Sequence, residues 1–408
     1  SDLEPDIETQ ARETSVEDPI ETETALAQSV GSDLNLSQAF QAAERAARLA
    51  QTARTMAEWE QVGQGWLEAI ALLRAVPPDS PFRVFAQQKA QEYQVNWAIA
   101  SQRADSLSAP YVFPTLGNQT LDSQLANYLS YVAALGVPDI LIVGSSRVLQ
   151  GIDAQILQQQ LARAGLPGLR VYNFGVNGLT AQGTNFILRQ LLQPDQLPHV
   201  IIWGGNSRAF NSGRLDRTFQ LITTSPGYRA LQVGDRPGFN RPTASRVPTL
   251  KLDAIDANGF SAVATTFNAS QYYKNFPKVP GRYDAAYTSF QLQGGVQDRN
   301  FQTLANWLNG QNKHLVFVNL PLSGDYLDPI RQAREQDFQR YLQLQGRLHN
   351  LPIVDLLKQW RQADRYFADP SHLNQVGAAA IATQLASDPR IPWSRFGLGG
   401  NTEIVERP

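Results

Sequence analysis

The sequence of 408 residues contains no cysteine. This absence excludes a disulfide framework, a thiolate nucleophile and cysteine-based metal sites, although it does not fix the cellular compartment. No apolar run approaches the ~18 residues of a membrane span, and no signal-peptide pattern is present. The first residue is Ser rather than Met, so removal of an N-terminal anchor or signal stays open as an expectation.

Patterns for metals, phosphates and nucleic acids are also missing. There is no His-x-x-x-His pair and no carboxylate cluster with metal-ligand spacing, so we expect no metal. The glycine-rich segments 175–178 and 204–205 lack the spacing and the following Lys-Ser/Thr of phosphate loops. No basic run with interleaved aromatics is found, so we expect no nucleic-acid partner. With neither a metal pattern nor a phosphate loop, we also expect no cofactor.

Charge is distributed unevenly along the chain. Residues 1–34 carry ten acidic side chains, one arginine and no aromatic residue, so they are predicted to be a disordered acidic tail. The other 374 residues carry 34 basic and 27 acidic side chains. This excess of seven positive charges favours anionic polymers or surfaces as partners.

Four further regions follow the tail. We predict a helical domain of about three helices over 36–105, a linker over 106–120, an α/β domain over 121–390 and a C-terminal tail over 391–408. In the helical domain, apolar residues recur at alternating steps of three and four. Its tryptophans are interpreted as core residues rather than as a sugar platform. Packing, oligomerisation and contacts with a partner protein are its open roles.

A short apolar run over 140–144 ends on glycine and delivers Ser145 and Ser146. A run of this length bounded by glycine is typical of a buried parallel strand. Asp153 is the predicted N-cap of a helix over 154–164. In an open α/β sheet, such a strand–turn–helix unit places its turn at the carboxyl end of a strand, where ligands bind. One of the two serines is therefore held where chemistry is possible.

Three other stretches have comparable patterns. Val171 to Thr180 is a predicted strand that runs into a glycine-rich turn, and Val200 to Ser207 is another strand ending in glycine. Ala368 to Leu373 reads Ala-Asp-Pro-Ser-His-Leu and precedes a predicted helix. It places a carboxylate three residues before a histidine.

Together, the four stretches resemble the four sequence blocks of the SGNH hydrolases, the GDSL-like esterase and lipase superfamily. The resemblance covers roughly residues 120–390 and depends on four motifs in the right order. It implies an α/β fold with a flavodoxin-like parallel sheet and helices on both faces. It also implies these roles: Ser146 as nucleophile, His372 as base, Asp369 as its orienting partner, and an oxyanion hole formed by Ser146, Gly178 and Asn206.

Two positions depart from the family pattern. Ser145 stands at the Asp position of the first block, and Ser207 stands at the Asp position of the third. The Gly-Ser-Ser form is similar to the divergent branch that contains the D-alanine transfer protein of teichoic-acid modification and the alginate acetyltransferases. That branch implies an acylated polysaccharide or small ester as substrate and a membrane acyltransferase as a possible partner. It also implies a cell-envelope, periplasmic or extracellular location, with the cytoplasm as the alternative.

The chemistry explains why these residue types are needed. A serine hydroxyl is a poor nucleophile until a base takes its proton, and neutral histidine is the usual base near neutral pH. Asp369 would accept a hydrogen bond from the other ring nitrogen of His372 and fix its tautomer. The backbone N–H groups of Ser146 and Gly178, with the side-chain amide of Asn206, would hold the oxyanion.

Two features bear on the substrate. Arg147 and Arg208 lie next to the nucleophile and the oxyanion asparagine in sequence. Both are candidates for binding an anionic substrate at the rim of the site, and the alternative is that each forms a local salt bridge or faces solvent. An insertion over 211–295, rich in Pro, Gly and aromatics, follows Asn206. It is either a lid with aromatic platforms for sugar rings or an irregular cover packed on the core.

The sequence therefore predicts an O-acyl esterase or acyltransferase. A catalytically inactive SGNH scaffold that binds a glycan or a protein partner is the alternative from another class, and a lipase-type hydrolase is a third. The acyl group, the acceptor and the choice between hydrolysis and transfer stay open.

Overall fold

The computed structural model describes residues 34–53, 56–77, 80–107, 113–238, 255–276, 287 and 289–396. The chain forms two compact units that divide between Ala104 and Asp105. The predicted acidic tail lies outside the described residues, apart from Leu34. So do residues 397–408 of the predicted C-terminal tail and residues 108–112 of the predicted linker.

The described residues of the first unit form three helices, α1 (Leu34–Thr52), α2 (Met56–Arg74) and α3 (Arg83–Leu107), the last of which extends three residues past the division. Small and apolar side chains pack between them, because alanine recurs on the facing stripes. Trp59 and Trp66 are buried, and the ring of Trp66 lies 5.1 Å from that of Tyr93. The interpretation of these tryptophans as core residues is confirmed.

The second unit is built on a five-stranded parallel sheet. Its strands are β1 (Ile140–Gly144), β2 (Val171–Gly175), β3 (Val200–Gly205), β4 (His314–Asn319) and β5 (Ile353–Asp355). Their order is β2-β1-β3-β4-β5, which is the flavodoxin-like order. A separate antiparallel hairpin joins β6 (Phe367–Asp369) to β7 (His372–Leu373). The predicted fold class, an α/β sheet preceded by a helical region, is confirmed.

Ten helices of the second unit are described. They are α4 (Gln119–Leu135), α5 (Ser146–Leu149), α6 (Ala154–Arg163), α7 (Ala181–Phe186), α8 (Arg217–Thr224), α9 (Pro226–Gln232), α10 (Ala269–Asn275), α11 (Val296–Gly310), α12 (Pro329–His349) and α13 (Gln375–Ser387). Asp153 is the N-cap of α6 as predicted, since its carboxylate accepts the N–H of Ile156 at 2.9 Å.

Both faces of the sheet are covered. Leu141 and Val143 of β1 lie in one buried cluster with residues of α4, α7 and α11. Ile140 and Ile142 lie in a second cluster with residues of α6 and α13. A strand buried on both faces has apolar residues at successive positions, which is why β1 reads as a continuous apolar run.

The predicted C-terminal tail begins too early. Residues 393–396 form a short 3₁₀ turn in which Trp393 and Phe396 are buried in the second cluster. The indole N–H of Trp393 donates to the carbonyl of Leu385 at 3.0 Å. Burial of two aromatic rings fixes this segment to the fold, so residues 391–396 belong to the α/β unit.

The segment predicted as an insertion over 211–295 is partly regular, since it contains α8, α9 and α10. Near its ends, the N–H of Ser212 donates to the carbonyl of Gln291 at 2.8 Å. Residues 239–254, 277–286 and 288 lie outside the described part of the chain.

Parts of the insertion pack against the sheet. The N–H of Asn173 in the edge strand β2 donates to the carbonyl of Asn258 at 2.7 Å, so the insertion occupies the open edge. Phe260 and Tyr287 are buried, whereas Phe276 is 60% exposed. For the two buried rings, the interpretation as structural cover is correct and the interpretation as a sugar platform is wrong.

Three glycines in register set the position of α5. Gly144 of β1 is paired with Gly175 of β2 and with Gly204 of β3. A Cβ at Gly144 or Gly204 would lie 2.4 or 2.6 Å from Val148 Cγ2, and one at Gly175 would lie 2.4 Å from the backbone nitrogen of Leu149. The row of glycines therefore leaves the space in which α5 rests on the ends of three strands.

Replacing Gly204 with Ala tests this close approach. The new methyl group would meet Val148 Cγ2 at 2.6 Å, so we expect the free energy of unfolding to fall. The expected loss is about 1–3 kcal/mol. The double variant Gly204→Ala/Val148→Ala should lose less than the sum of the two single variants, because the obstructing methyl groups are gone. Chemical denaturation followed by circular dichroism measures all three.

The neighbouring Gly205→Ala variant is the matched control. A methyl group there meets no atom closer than 3.7 Å, so we expect little change in the free energy of unfolding. Equal losses for Gly204→Ala and Gly205→Ala would contradict the steric argument.

Candidate active site

Ser146 stands at the first position of α5, directly after the turn that ends β1. Ser145 is the N-cap residue, and its backbone carbonyl accepts the N–H groups of Val148 and Leu149 at 2.9 and 3.0 Å. The N–H of Ser146 belongs to the first turn of the helix, so it has no acceptor within the helix. The turn thus presents the hydroxyl and the N–H of Ser146 at the carboxyl edge of the sheet.

The hairpin β6–β7 brings His372 and Asp369 to Ser146. Ser146 Oγ lies 2.9 Å from His372 Nε2, and His372 Nδ1 lies 2.8 Å from Asp369 Oδ2. A hydroxyl, an imidazole and a carboxylate thus form a continuous hydrogen-bonded row. The structure brings together the three residues that the sequence singled out.

The turn between β6 and β7 fixes the carboxylate. Asp369 Oδ1 accepts the N–H groups of Ser371 and His372 at 2.7 and 2.9 Å. Burial alone would raise the pKa of Asp369, but its hydrogen bonds to His372 and Ser371 outweigh burial and hold that pKa below its usual value. Asp369 is therefore ionised near neutral pH and oriented by its own turn.

Ser371 is a neighbour that the sequence analysis did not single out. Its hydroxyl lies 3.1 Å from His372 Nδ1 and donates to Asp369 Oδ1 at 3.2 Å. Its position in the Asp-Pro-Ser-His segment could have identified it, because a short polar side chain there can reach both Asp369 and His372.

The hairpin is anchored on two sides. The N–H and hydroxyl of Ser323, in the loop after β4, both donate to the carbonyl of Pro370, at 3.2 and 2.8 Å. From the insertion, the N–H of Phe267 donates to the carbonyl of Phe367 at 2.7 Å. These contacts hold a hairpin that is too short to fix its own position.

Gly178 lies in the turn after β2, at the same edge of the sheet as Ser146, because β1 and β2 are parallel neighbours. Its φ angle of 75° belongs to the left-handed region that favours glycine. A Cβ there would lie 2.3 Å from the Thr218 hydroxyl of α8. Glycine is thus required at this turn, and its role toward an oxyanion stays a prediction.

The amide of Asn206 does not have the contacts predicted for an oxyanion donor. Its Nδ2 donates to Asn319 Oδ1 at 3.0 Å and to the carbonyl of Leu320 at 2.8 Å. Its Oδ1 accepts from Arg147 Nη1 at 2.9 Å. A primary amide has two N–H groups, and both are used within the protein. In this arrangement, the side chain of Asn206 holds the turn after β3 and points no N–H group at an oxyanion.

The expectation that Arg147 lies at the rim is wrong. Its side chain is only 7% exposed, and the guanidinium stacks 5.0 Å from the ring centre of Tyr326. Arg208 lies in the short 3₁₀ turn Ser207–Ala209, after β3, and is partly exposed. Contact of Arg208 with an anionic substrate stays a prediction.

A buried polar cluster beside the site was missed. Glu335 of α12 accepts the Ser207 hydroxyl at 2.7 Å, the Ser207 N–H at 3.2 Å and the Tyr287 hydroxyl at 3.1 Å. The helical spacing could have identified Glu335. It lies three residues before Phe338 and seven before Leu342, which places its carboxylate on the apolar face of α12.

Among the described residues, no group of three or more His, Asp or Glu side chains is arranged to hold a metal ion. None of the helices in the described ranges is both long and apolar enough to cross a membrane.

Replacing Asn206 with Ala tests its structural contacts. The change leaves Arg147 Nη1, Asn319 Oδ1 and the Leu320 carbonyl without their partner in a buried place. We expect a loss of about 1–3 kcal/mol in the free energy of unfolding, measured by chemical denaturation. Asn309→Ala, at an exposed position near the end of α11, is the control and should change little. Similar values for the two variants would show that the Asn206 contacts contribute nothing.

Comparison with known proteins finds little. No family model matches the sequence, and no curated protein matches it. Among solved structures, the chain is similar to a putative acylhydrolase from Bacteroides fragilis, with a TM-score of 0.32 and 9% sequence identity over 64% of this chain and 94% of that chain. The proposed function therefore rests on the geometry of the side chains.

Proposed function

We propose that the chain is a serine esterase or O-acyltransferase of the SGNH type, working through an acyl-Ser146 intermediate. The observation that carries the proposal is the hydrogen-bonded row from Ser146 Oγ through His372 to Asp369, with separations of 2.9 and 2.8 Å. Both lie within the reach that proton transfer requires. Ser146 comes from the start of α5, and Asp369 and His372 come from the β6–β7 hairpin, so the row joins two segments far apart in sequence, as in serine hydrolases.

The reaction follows from these contacts. His372 Nε2 takes the proton of Ser146 as Oγ bonds to the ester carbonyl carbon, and the imidazolium is stabilised by Asp369. The carbon–oxygen bond to the leaving alcohol then breaks, and His372 returns the proton to that alcohol. Water or a sugar hydroxyl then attacks the acyl carbon while His372 Nε2 takes its proton. The bond from that carbon to Ser146 Oγ breaks, and His372 returns the proton to Oγ. The products are an acid or a new ester.

The negative charge that develops on the carbonyl oxygen of the tetrahedral intermediate is stabilised by hydrogen-bond donors. The backbone N–H groups of Ser146 and Gly178 are the donors that we assign to this oxygen. The side chain of Asn206 is excluded in the observed arrangement, since its N–H groups bind Asn319 and Leu320. This same observation favours a second candidate function, a scaffold that binds a glycan or protein partner without turnover.

The substrate is proposed from the sequence blocks. They resemble those of enzymes that act on cell-envelope polymers, which supports an acylated polysaccharide as the substrate. The same resemblance supports a membrane acyltransferase as a partner and a location outside the cytoplasm. The excess of seven positive charges outside residues 1–34 supports an anionic polymer. The helical unit is the candidate for contacts with a protein partner.

Covalent labelling with a fluorophosphonate probe tests the nucleophile. We expect one label on Ser146, found by mass spectrometry of the digested protein. Ser146→Ala and His372→Ala should abolish labelling, because they remove the hydroxyl and its base. Ser145→Ala is the matched control and should still react. A label on Ser145 would overturn the assignment, and an unreactive but folded protein would favour the scaffold.

Replacing Asp369 with Asn tests the orientation of the base. An amide can donate to His372 Nδ1 and favour the tautomer that has its proton on Nε2, which cannot accept the serine proton. We expect hydrolysis of a small activated ester to slow about 10³–10⁴-fold. Asp364→Asn, at a nearby exposed position, should keep the wild-type rate. Equal rates for the two variants would contradict the proposed role of Asp369.

A further inference from the structure

Arg147 follows the proposed nucleophile, yet it is buried. Arginine is rarely buried without partners, so its surroundings should explain its presence. Nη1 donates to Asn206 Oδ1 at 2.9 Å, and the guanidinium carbon lies over the ring of Tyr326, 5.0 Å from its centre. Nη2 is also buried and has no hydrogen-bond partner in the part of the chain that the structure describes. The amide of Asn206 and the side chain of Tyr326 are therefore two groups that hold the guanidinium.

Tyr326 connects Arg147 to a buried carboxylate. The hydroxyls of Tyr326 and Tyr287 lie 2.9 Å apart, and the Tyr287 hydroxyl donates to Glu335 Oε1 at 3.1 Å. The guanidinium of Arg331 also lies near the Tyr326 ring, 4.7 Å from its centre. Arg147 is thus one end of a polar chain that runs from α5 to α12.

The turn after β3 is held at two consecutive residues by this cluster. Arg147 binds the side chain of Asn206, and Glu335 binds both the hydroxyl and the N–H of Ser207. The hydrogen bonds continue from Asn206 to Asn319 and from Asn319 to Asp355, each with a donor–acceptor separation of 3.0 Å. The ends of β3, β4 and β5 are therefore linked to the residue next to Ser146.

Helix α5 depends on such links because it has only four residues. One turn of helix does not hold its own position in water. Val148 and Leu149 fix it against the glycine row, and Arg147 fixes it against the turn after β3 and the loop after β4. Ser146 is one peptide unit away from that contact.

We propose that Arg147 is a positioning residue, whose buried guanidinium joins α5 to Asn206 and Tyr326 and thereby holds Ser146 Oγ against His372. This inference rests on the proposed serine chemistry and gives Arg147 a role within it. It differs from substrate binding at the rim, because the guanidinium is enclosed by protein groups.

The test measures the rate of fluorophosphonate labelling at Ser146 together with thermal unfolding. In Arg147→Met the apolar part of the side chain remains, but the donor and the charge are lost. We expect labelling to slow about 10²-fold, the effect of a displacement near 1 Å. Arg147→Lys keeps the charge but cannot both donate to Asn206 and stack on Tyr326, so it should lie between wild type and Arg147→Met. Arg340→Met, at an exposed position of α12, is the control and should label at the wild-type rate.

A rescue experiment separates positioning from general stability. Guanidinium ion, added at a low and non-denaturing concentration, should restore part of the labelling rate of Arg147→Ala and leave that of Ser146→Ala at zero. In the double variant Arg147→Met/Glu335→Gln, the melting temperature should recover relative to Arg147→Met, because no buried carboxylate is left without its cation. Labelling should stay slow in the double variant, since the link to Asn206 is still missing.

The outcomes are distinct. Wild-type labelling rates in folded Arg147→Met or Arg147→Lys would overturn the positioning role, and so would rescue of stability and labelling together in the double variant. If no Arg147 variant folds, Arg147 is a core residue and the proposal is wrong. A wild-type protein that never reacts at Ser146 would instead remove the proposed function.

Discussion

The close contact between α5 and the ends of three parallel strands is the constraint on which the site depends. Gly144, Gly175 and Gly204 stand in register across the sheet, and a Cβ on any of them would enter space held by α5. Because glycine has only a hydrogen in place of a side chain, Val148 and Leu149 can pack directly on the strand backbone. The position of Ser146 is therefore set by the absence of side chains beneath it.

The partners of Ser146 are held in two different ways. Asp369 and His372 belong to one short turn, in which Asp369 Oδ1 accepts the N–H groups of Ser371 and His372. Their mutual orientation is thus local and follows from the Asp-Pro-Ser-His sequence. The distance from His372 to Ser146 is a tertiary quantity, since it depends on where Ser323 and Phe267 hold the hairpin.

This difference explains what the sequence could predict. Strand β1, its terminal glycine and the Asp153 cap are local features, and the structure has them as predicted. The burial of Arg147 was not predictable, because Tyr326 lies far away in the chain and no periodicity links the two. The use of both Asn206 N–H groups depends likewise on Asn319 and Leu320.

The positions that depart from the family pattern have identifiable tasks in this fold. Ser145 caps α5, and Ser207 uses its hydroxyl to bind the buried carboxylate of Glu335. An aspartate at 207 would set a second carboxylate against Glu335 in a place with no room for solvent, which is costly. Serine at 207 and glutamate at 335 are therefore a matched pair. Burial raises the pKa of Glu335, and the nearby Arg147 cation and the hydrogen bonds from Ser207 and Tyr287 oppose that rise. The turn after β3 is therefore held on one side by the contacts of Glu335 with Ser207 and on the other by the contact of Arg147 with Asn206.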